Sequence, residues 1–419
     1  MSTPEEGQEQ QQKKRSPIGL VFITALLDLL GLSLIIPVLG PLLISQTDIL
    51  GPEFGEESRN IMLGLIIGTF SLFQFFGSPL LGSLSDKFGR KPILVISLMT
   101  SFVGYSTVGF GIHFGSLTVM FIGRAIQGFA AGNLAVLYSS VADISATQDK
   151  AKNFGLIGAA FGIGFVFGPL LGGVLSNPEL VSWFTYTTPF IVGAILVLLN
   201  LIQVWFRFEE TNESPNKELE VSPFAGFVNL GKAVKHDSLR SIFLVVFLQT
   251  FGFTFFTQMV QVYLIKEFDY GSADIGYLYG YIGIVIALTQ GVLVGAISRR
   301  YPPNKVLYIS LFMLPLALLV NLLATVNWHL YVLVPLIAIC QGISTPNISA
   351  LISNMASRSE QGETLGMQQS VQALSQIIPP LLGGIAVSFS ISSPFWGSAL
   401  VIFLAWIAFV RQFKWEGAK

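Results

Sequence analysis

Twelve runs of about 20 apolar residues, separated by short polar intervals, follow one another along the chain. At 1.5 Å of rise per residue, about 20 helical residues cross the roughly 30 Å of hydrocarbon in a bilayer. The runs predict membrane spans at 17–45, 61–83, 92–112, 116–140, 152–175, 183–206, 239–265, 272–298, 304–325, 328–352, 362–386 and 393–411. The longest polar interval, 207–238, divides them into two sets of six. The expected organisation is a polar tail (1–16), a six-helix bundle (17–206), a cytoplasmic linker (207–238), a second six-helix bundle (239–412) and a short tail (413–419).

The placement of Lys and Arg supports that count. With the first span entering from inside, 20 of the 23 basic residues fall in inner segments, Arg59 and Lys266 fall outside, and Arg124 lies within a span. An excess of Lys and Arg on cytoplasmic loops sets orientation, so both termini are expected in the cytoplasm. No cleavable signal-peptide pattern precedes the first run. A miscount by one span would scatter the charges over both sides.

Composition narrows the classes. Hydrophobic residues make up 52% and charged residues 11%, against about a quarter charged in soluble domains. Too few charges remain to disperse a soluble surface, and no basic face exists for nucleic acid. One cysteine, Cys340, excludes an internal disulfide or a cysteine metal cluster. His113, His236 and His329 are scattered, so no metal or other cofactor is expected. No phosphate-binding glycine loop and no nucleophile–base set stands out, which argues against ATP hydrolysis and against an enzyme. A monomer in a plasma membrane of the bacterial inner-membrane kind is the default expectation.

The two halves repeat each other. Gln127-Gly128 with Asn133 six positions after the glutamine recurs as Gln341-Gly342 with Asn347, an offset of 214 (341 − 127). PLLGG begins at Pro169 and again at Pro380, and GSLSDKF from Gly82 parallels GAISRRY from Gly295. Three matches at nearly one offset predict an internal duplication, hence two pseudo-symmetric bundles with a site between them near mid-membrane. The fold class is therefore an all-α membrane protein of twelve transmembrane helices.

GSLSDKFGRK (Gly82 to Lys91), GRAIQG (Gly123 to Gly128) and GIGFVFGPLLGG (Gly162 to Gly173) together resemble motifs of the major facilitator superfamily. LDLLGLSLIIPVLGPLL from Leu27 resembles the first span of its 12-span drug/proton antiporters, and the stretch from Ala142 is most similar to the tetracycline exporters. The resemblance implies the major facilitator fold and an inner-face latch in which Asp86 faces the end of a helix in the opposite half and Arg90 pairs with Asp143. It also places a coupling arginine at Arg124. Physically, Gly82 would permit close helix approach beside that charged turn. The second-half copy, Ser298-Arg299-Arg300-Tyr301-Pro302, lacks the acid and the glycine, so the latch is expected to be asymmetric. Gly164, Gly168, Gly172 and Gly173 would form a helix-packing groove, with Pro169 bending span five.

Charge bookkeeping supplies the sharpest expectation. Only Asp28 and Arg124 lie deep in the membrane, where a charge costs at least about 2.5–3.5 kcal/mol. Counted along straight helices they sit about 16 Å from the inside and about 12 Å from the outside, and so at nearly equal heights. Asp28 is expected to carry a proton and Arg124 to act as its fixed counter-charge. Neutral amides supply the candidate solute contacts: Gln127 and Asn133 on span four, Gln258 and Gln261 on span seven, Gln341 and Asn347 on span ten, Gln368 and Gln372 on span eleven. Such a lining suits a small, largely apolar molecule with a few hydrogen-bonding groups. The expected function is proton-coupled export of such drug-like compounds by alternating access, with tetracycline-like molecules among the candidates. The alternative is a facilitator or symporter of a metabolite or lipid-like solute. The expected partners are that solute, protons and the lipid bilayer.

Overall fold

The computed structural model describes residues 18–45, 49–145, 150–212, 215, 217, 222, 224–236, 239–355 and 361–413. The terminal tails lie outside the described residues. Among those described, twelve helices are long and apolar enough to cross a membrane: Ile18–Ile44, Glu56–Phe88, Arg90–His113, Leu117–Ile144, Ile157–Leu175, Thr188–Arg207, Arg240–Phe268, Ser272–Ser298, Pro303–Leu323, Asn327–Ile352, Met367–Phe389 and Ser393–Gln412. They are called spans one to twelve below. The apolar runs locate every span. Span six begins at Thr188 rather than at 183, because Pro189 at its first turn fixes the start.

Small side chains bring the two halves together at one end. A side-chain carbon on Gly64 of span two would collide with the Pro380 carbonyl of span eleven, and one on Gly384 would collide with the Asn60 carbonyl. Gly173 of span five meets Ser272 and Gly276 of span eight, and Gly40 of span one meets the Gln261 side chain of span seven. Ser176 Oγ donates to Ser272 Oγ across the same seam at 2.7 Å. The core of the first bundle continues through it to Met259, Val262 and Val387 of the second.

All these contacts lie on the face where span one ends, the far face. Both basic residues that break the charge bias are used there. Arg59 donates to the carbonyls of Leu43, Leu50 and Gly51, at 3.1, 2.5 and 3.0 Å, and so ties the loop between spans one and two. Lys266 pairs with Glu56 of the other half.

The opposite, near face carries the start of span one and the end of span twelve. Toward it, spans five and eight part: a side-chain carbon built on Gly158 or Gly162 of one, or on Gly291 or Gly295 of the other, would meet nothing within 4 Å among the described residues. Beyond the π-helical turn Thr289–Val294, the end of span eight stands largely exposed. The conformer is thus closed at the far face and parted at the near one.

The linker is not simply polar. Residues Ala225–Lys235 form a helix at the near face. Phe227 meets the edge of Phe75 on span two at 5.0 Å, Asn229 Nδ2 donates to Ser370 Oγ on span eleven at 3.3 Å, and Ala233 is buried with Leu239 and Met367. This helix bridges the halves where the seam has parted.

Overpacking costs about 1–3 kcal/mol, a shift of about 5–150-fold in a two-state equilibrium. Gly64→Ala should therefore raise thiol labelling of a cysteine placed at Asn60, in a Cys340→Ser background, by a factor in that range. Gly162→Ala, facing open space, should leave labelling unchanged.

Candidate functional site

Span one carries Asp28 half-buried in the interior of the first bundle. Its span-four neighbour is Asn133. The Asn133 side chain is fully buried and adjoins the Asp28 carboxyl group. One helical turn beyond Asp28, the Tyr105 hydroxyl of span three packs against Gly31, close enough to feel the charges of both Asp28 and Arg124.

Arg124 is buried and held from span two and its own helix. It donates to the Gln127 Oε1 at 3.0 Å and the Ile66 carbonyl at 3.5 Å, and its guanidinium lies over the Phe70 ring at 4.5 Å. An arginine over an aromatic face with two acceptors is stable without a carboxylate.

That arrangement corrects the expectation that Asp28 and Arg124 face each other at one height. No ion pair joins them among the described residues. The residue opposite Asp28 lies nine positions past Arg124 along span four (133 − 124). The two counts, taken from opposite faces, assumed a core of about 30 Å. Span four is 28 residues, about 42 Å at 1.5 Å per residue, so they do not meet. Span one is interrupted at Ile35 and span four at Ala131-Gly132. At the second break Gly132 is pressed onto the backbone of Gly77 and Ser78.

The glycines of span five serve chiefly the same bundle. Gly164, Gly168 and Gly172 press on Leu29, Ser33 and Leu34 of span one, with Ser33 Oγ donating to the Gly164 carbonyl at 2.7 Å. Only Gly173 of the four reaches the other half, one turn past Pro169. Any movement of span five is therefore coupled to the helix that carries Asp28.

Asp86, Arg90 and Asp143 do come together at the near face. Arg90 donates to Asp143 Oδ2 at 2.8 Å, Asp86 Oδ1 at 2.5 Å and Ser85 Oγ at 2.7 Å. All of these belong to one half, so the network stiffens that half rather than joining the two. Gly82 is not tightly packed: a side-chain carbon there would lie 3.7 Å from the Ala135 Cβ, an ordinary contact.

Sequence reading missed what completes the network. Glu210, just past span six, accepts from the backbone N–H of Arg90 at 2.7 Å and of Lys91 at 3.1 Å, capping the first turn of span three. Asn212 Nδ2 donates to the Asp86 carbonyl at 3.2 Å. In the sequence Glu210 is one acid among many in a polar stretch, and nothing singles it out. Tyr105 carried a weak signal, a lone hydroxyl-bearing ring midway along an apolar run.

The amides fall into separate groups. Gln249 Nε2 donates to Gln341 Oε1 at 2.7 Å, and Gln341 Nε2 to Thr345 Oγ1 at 3.3 Å. With Ser344 and Ser310 at 2.9 Å they form a polar layer between the two apolar clusters of the second bundle. Gln368 Nε2 donates to Ser349 Oγ at 2.9 Å, Asn347 Nδ2 to the Ile343 carbonyl at 2.8 Å, and Gln261 Nε2 to the Gln258 carbonyl at 3.0 Å within the far-face seam. Gln372 is half-buried on span eleven. Gln127 keeps one free valence, its Nε2 being buried without a partner.

Losing an N-terminal cap costs about 0.5–2 kcal/mol. Glu210→Ala should lower the thermal unfolding midpoint of the purified protein accordingly, whereas Glu209→Ala, at an exposed neighbour, should not.

The family model described as Major Facilitator Superfamily matches residues 21–334 and 242–415. A tetracycline resistance protein of class D from Salmonella ordonez is 30% identical over 373 residues, 87% of this chain and 88% of that protein. The class C protein from Escherichia coli is 26% identical, covering 94% of each. Among solved structures, the human organic anion transporter MFSD10 (TETRAN) superposes with a TM-score of 0.70 at 22% identity, covering 94% of this chain and 99% of that one. A D-xylose–proton symporter superposes at 0.74 and 14% identity, covering 96% and 98%.

Proposed function

We propose that this chain, which belongs to the Major Facilitator Superfamily, exports small, largely apolar solutes in exchange for protons. It is an integral multi-pass membrane transporter, and its homologues are transporters, not enzymes. The finer reading rests on one observation: among the described residues, Asp28 is an acid within a membrane span that has no basic partner, and its span-four neighbour is the buried amide of Asn133.

An acid in that setting is costly as an anion and needs little to change its protonation state. When the cavity is wet from the far side, Asp28 takes up a proton. With the near face open, as in this conformer, it releases the proton there and the solute enters. Solute amide or hydroxyl groups would find Asn133 and the free valence of Gln127 in one bundle and the Gln249–Gln341–Thr345 layer in the other. Arg124 does not titrate; it fixes the field around Tyr105 and Gln127. The near face is taken as cytoplasmic, following the Lys and Arg bias. Tetracycline-like solutes are candidates because the relatives named above are tetracycline resistance proteins.

In proteoliposomes with an imposed pH gradient, Asp28→Asn should reduce solute accumulation to the level of empty vesicles, while solute binding to the purified variant persists. Gradient-driven accumulation at the rate of the unaltered protein would rule out Asp28 as the proton carrier.

A further inference from the structure

The near-face loop of the second half inverts the chemistry of its counterpart. At the repeat offset of 213, Arg299 stands where the first half has Asp86, and Arg300 where it has Lys87. Arg90 in the first half is saturated by carboxylates, but neither Arg299 nor Arg300 has an ion-pair or hydrogen-bond partner for its guanidinium among the described residues. Both are exposed, and both line an open cavity of about 510 Å³ together with Val294, Ser298, Tyr301, Pro346 and Asn347.

The surroundings of this cavity are amphiphilic. Immediately toward mid-membrane lies the parted end of span eight, where the π-helical turn begins. There Leu288 and Val292 are 60% and 63% exposed, with Leu293 beside them. Tyr301 adds an aromatic ring at the level where such rings favour the membrane–water boundary. A doubly cationic pocket at the membrane edge, with exposed apolar side chains further along the same span toward the bilayer centre, suits one kind of ligand. Guanidinium groups hold phosphate oxygens in a bidentate fork, and basic pockets between helices on the cytoplasmic side bind anionic lipid headgroups.

We infer that the Arg299–Arg300 cavity is a headgroup site for an anionic phospholipid of the near-face leaflet, with its acyl chains lying along the exposed end of span eight. A lipid held there would fill the gap from which span five has withdrawn, and so would favour the conformer parted at the near face. A free organic or inorganic phosphate could satisfy the guanidinium pair but would leave those apolar side chains uncovered.

The test uses the full chain purified in detergent and measures its thermal unfolding midpoint. Phosphatidylglycerol should raise the midpoint by several degrees more than phosphatidylcholine of the same chain length. Inorganic phosphate at matched concentration should not reproduce the rise, and the double variant Arg299→Gln, Arg300→Gln should lose the difference between the lipids. Independently of any variant, a photoactivatable phosphatidylglycerol should label peptides containing residues 294–303 or 346–350. An equal effect of the two lipids, an equal effect of inorganic phosphate, a lipid difference that survives in the double variant, or labelling spread without preference would each overturn the proposal.

Discussion

Hydrocarbon gives a polar group two choices: to be satisfied inside the protein or to stay at the membrane edge. Nearly every feature of this molecule follows from that constraint. It makes the spans helical, so that backbone groups pair within each segment, and it sends the Lys and Arg residues to one face. The two basic residues at the other face are both engaged, Arg59 by three loop carbonyls and Lys266 by Glu56. Arg124, buried mid-span, is satisfied by an amide, a carbonyl and an aromatic face. Asp28 is different: among the described residues it has no cation, and its neighbour is the buried amide of Asn133. The proposed proton chemistry lives in that one departure.

Glycine turns the local chemistry into motion of whole bundles. Gly64 with Pro380, Gly384 with Asn60 and Gly173 with Gly276 bring backbones into direct contact at the far face. Such backbone packing either fits or separates; it does not stretch. Because Gly164, Gly168 and Gly172 lock span five onto span one, the helix bearing Asp28 belongs to the same rigid body as the seam. A change in the charge of Asp28 thus acts on a piece already in contact with the gate.

The twelve spans were legible in the sequence because hydropathy and charge placement are first-order effects of the bilayer. The Arg90–Asp143 pair was implied by family resemblance and is present. What stayed hidden depends on how far helices outreach the bilayer core. Span four, 28 residues long, exceeds the thickness assumed, so Asn133, not Arg124, lies beside Asp28. The cap from Glu210 and the linker helix Ala225–Lys235 lie in a stretch whose acids and prolines obscured a short amphipathic pattern. Several glutamines that resembled cavity lining are bonded to other helices, as Gln368 is to Ser349, because an amide in a dry bundle takes the nearest partner.

Infrared difference spectroscopy of the reconstituted protein, recorded on adding a transported solute, observes the proposed event at its own group. The account predicts a carboxylic-acid C=O band that changes on solute addition and is missing from the Asp28→Asn difference spectrum. A spectrum with no carboxyl change, or one identical in that variant, would contradict it.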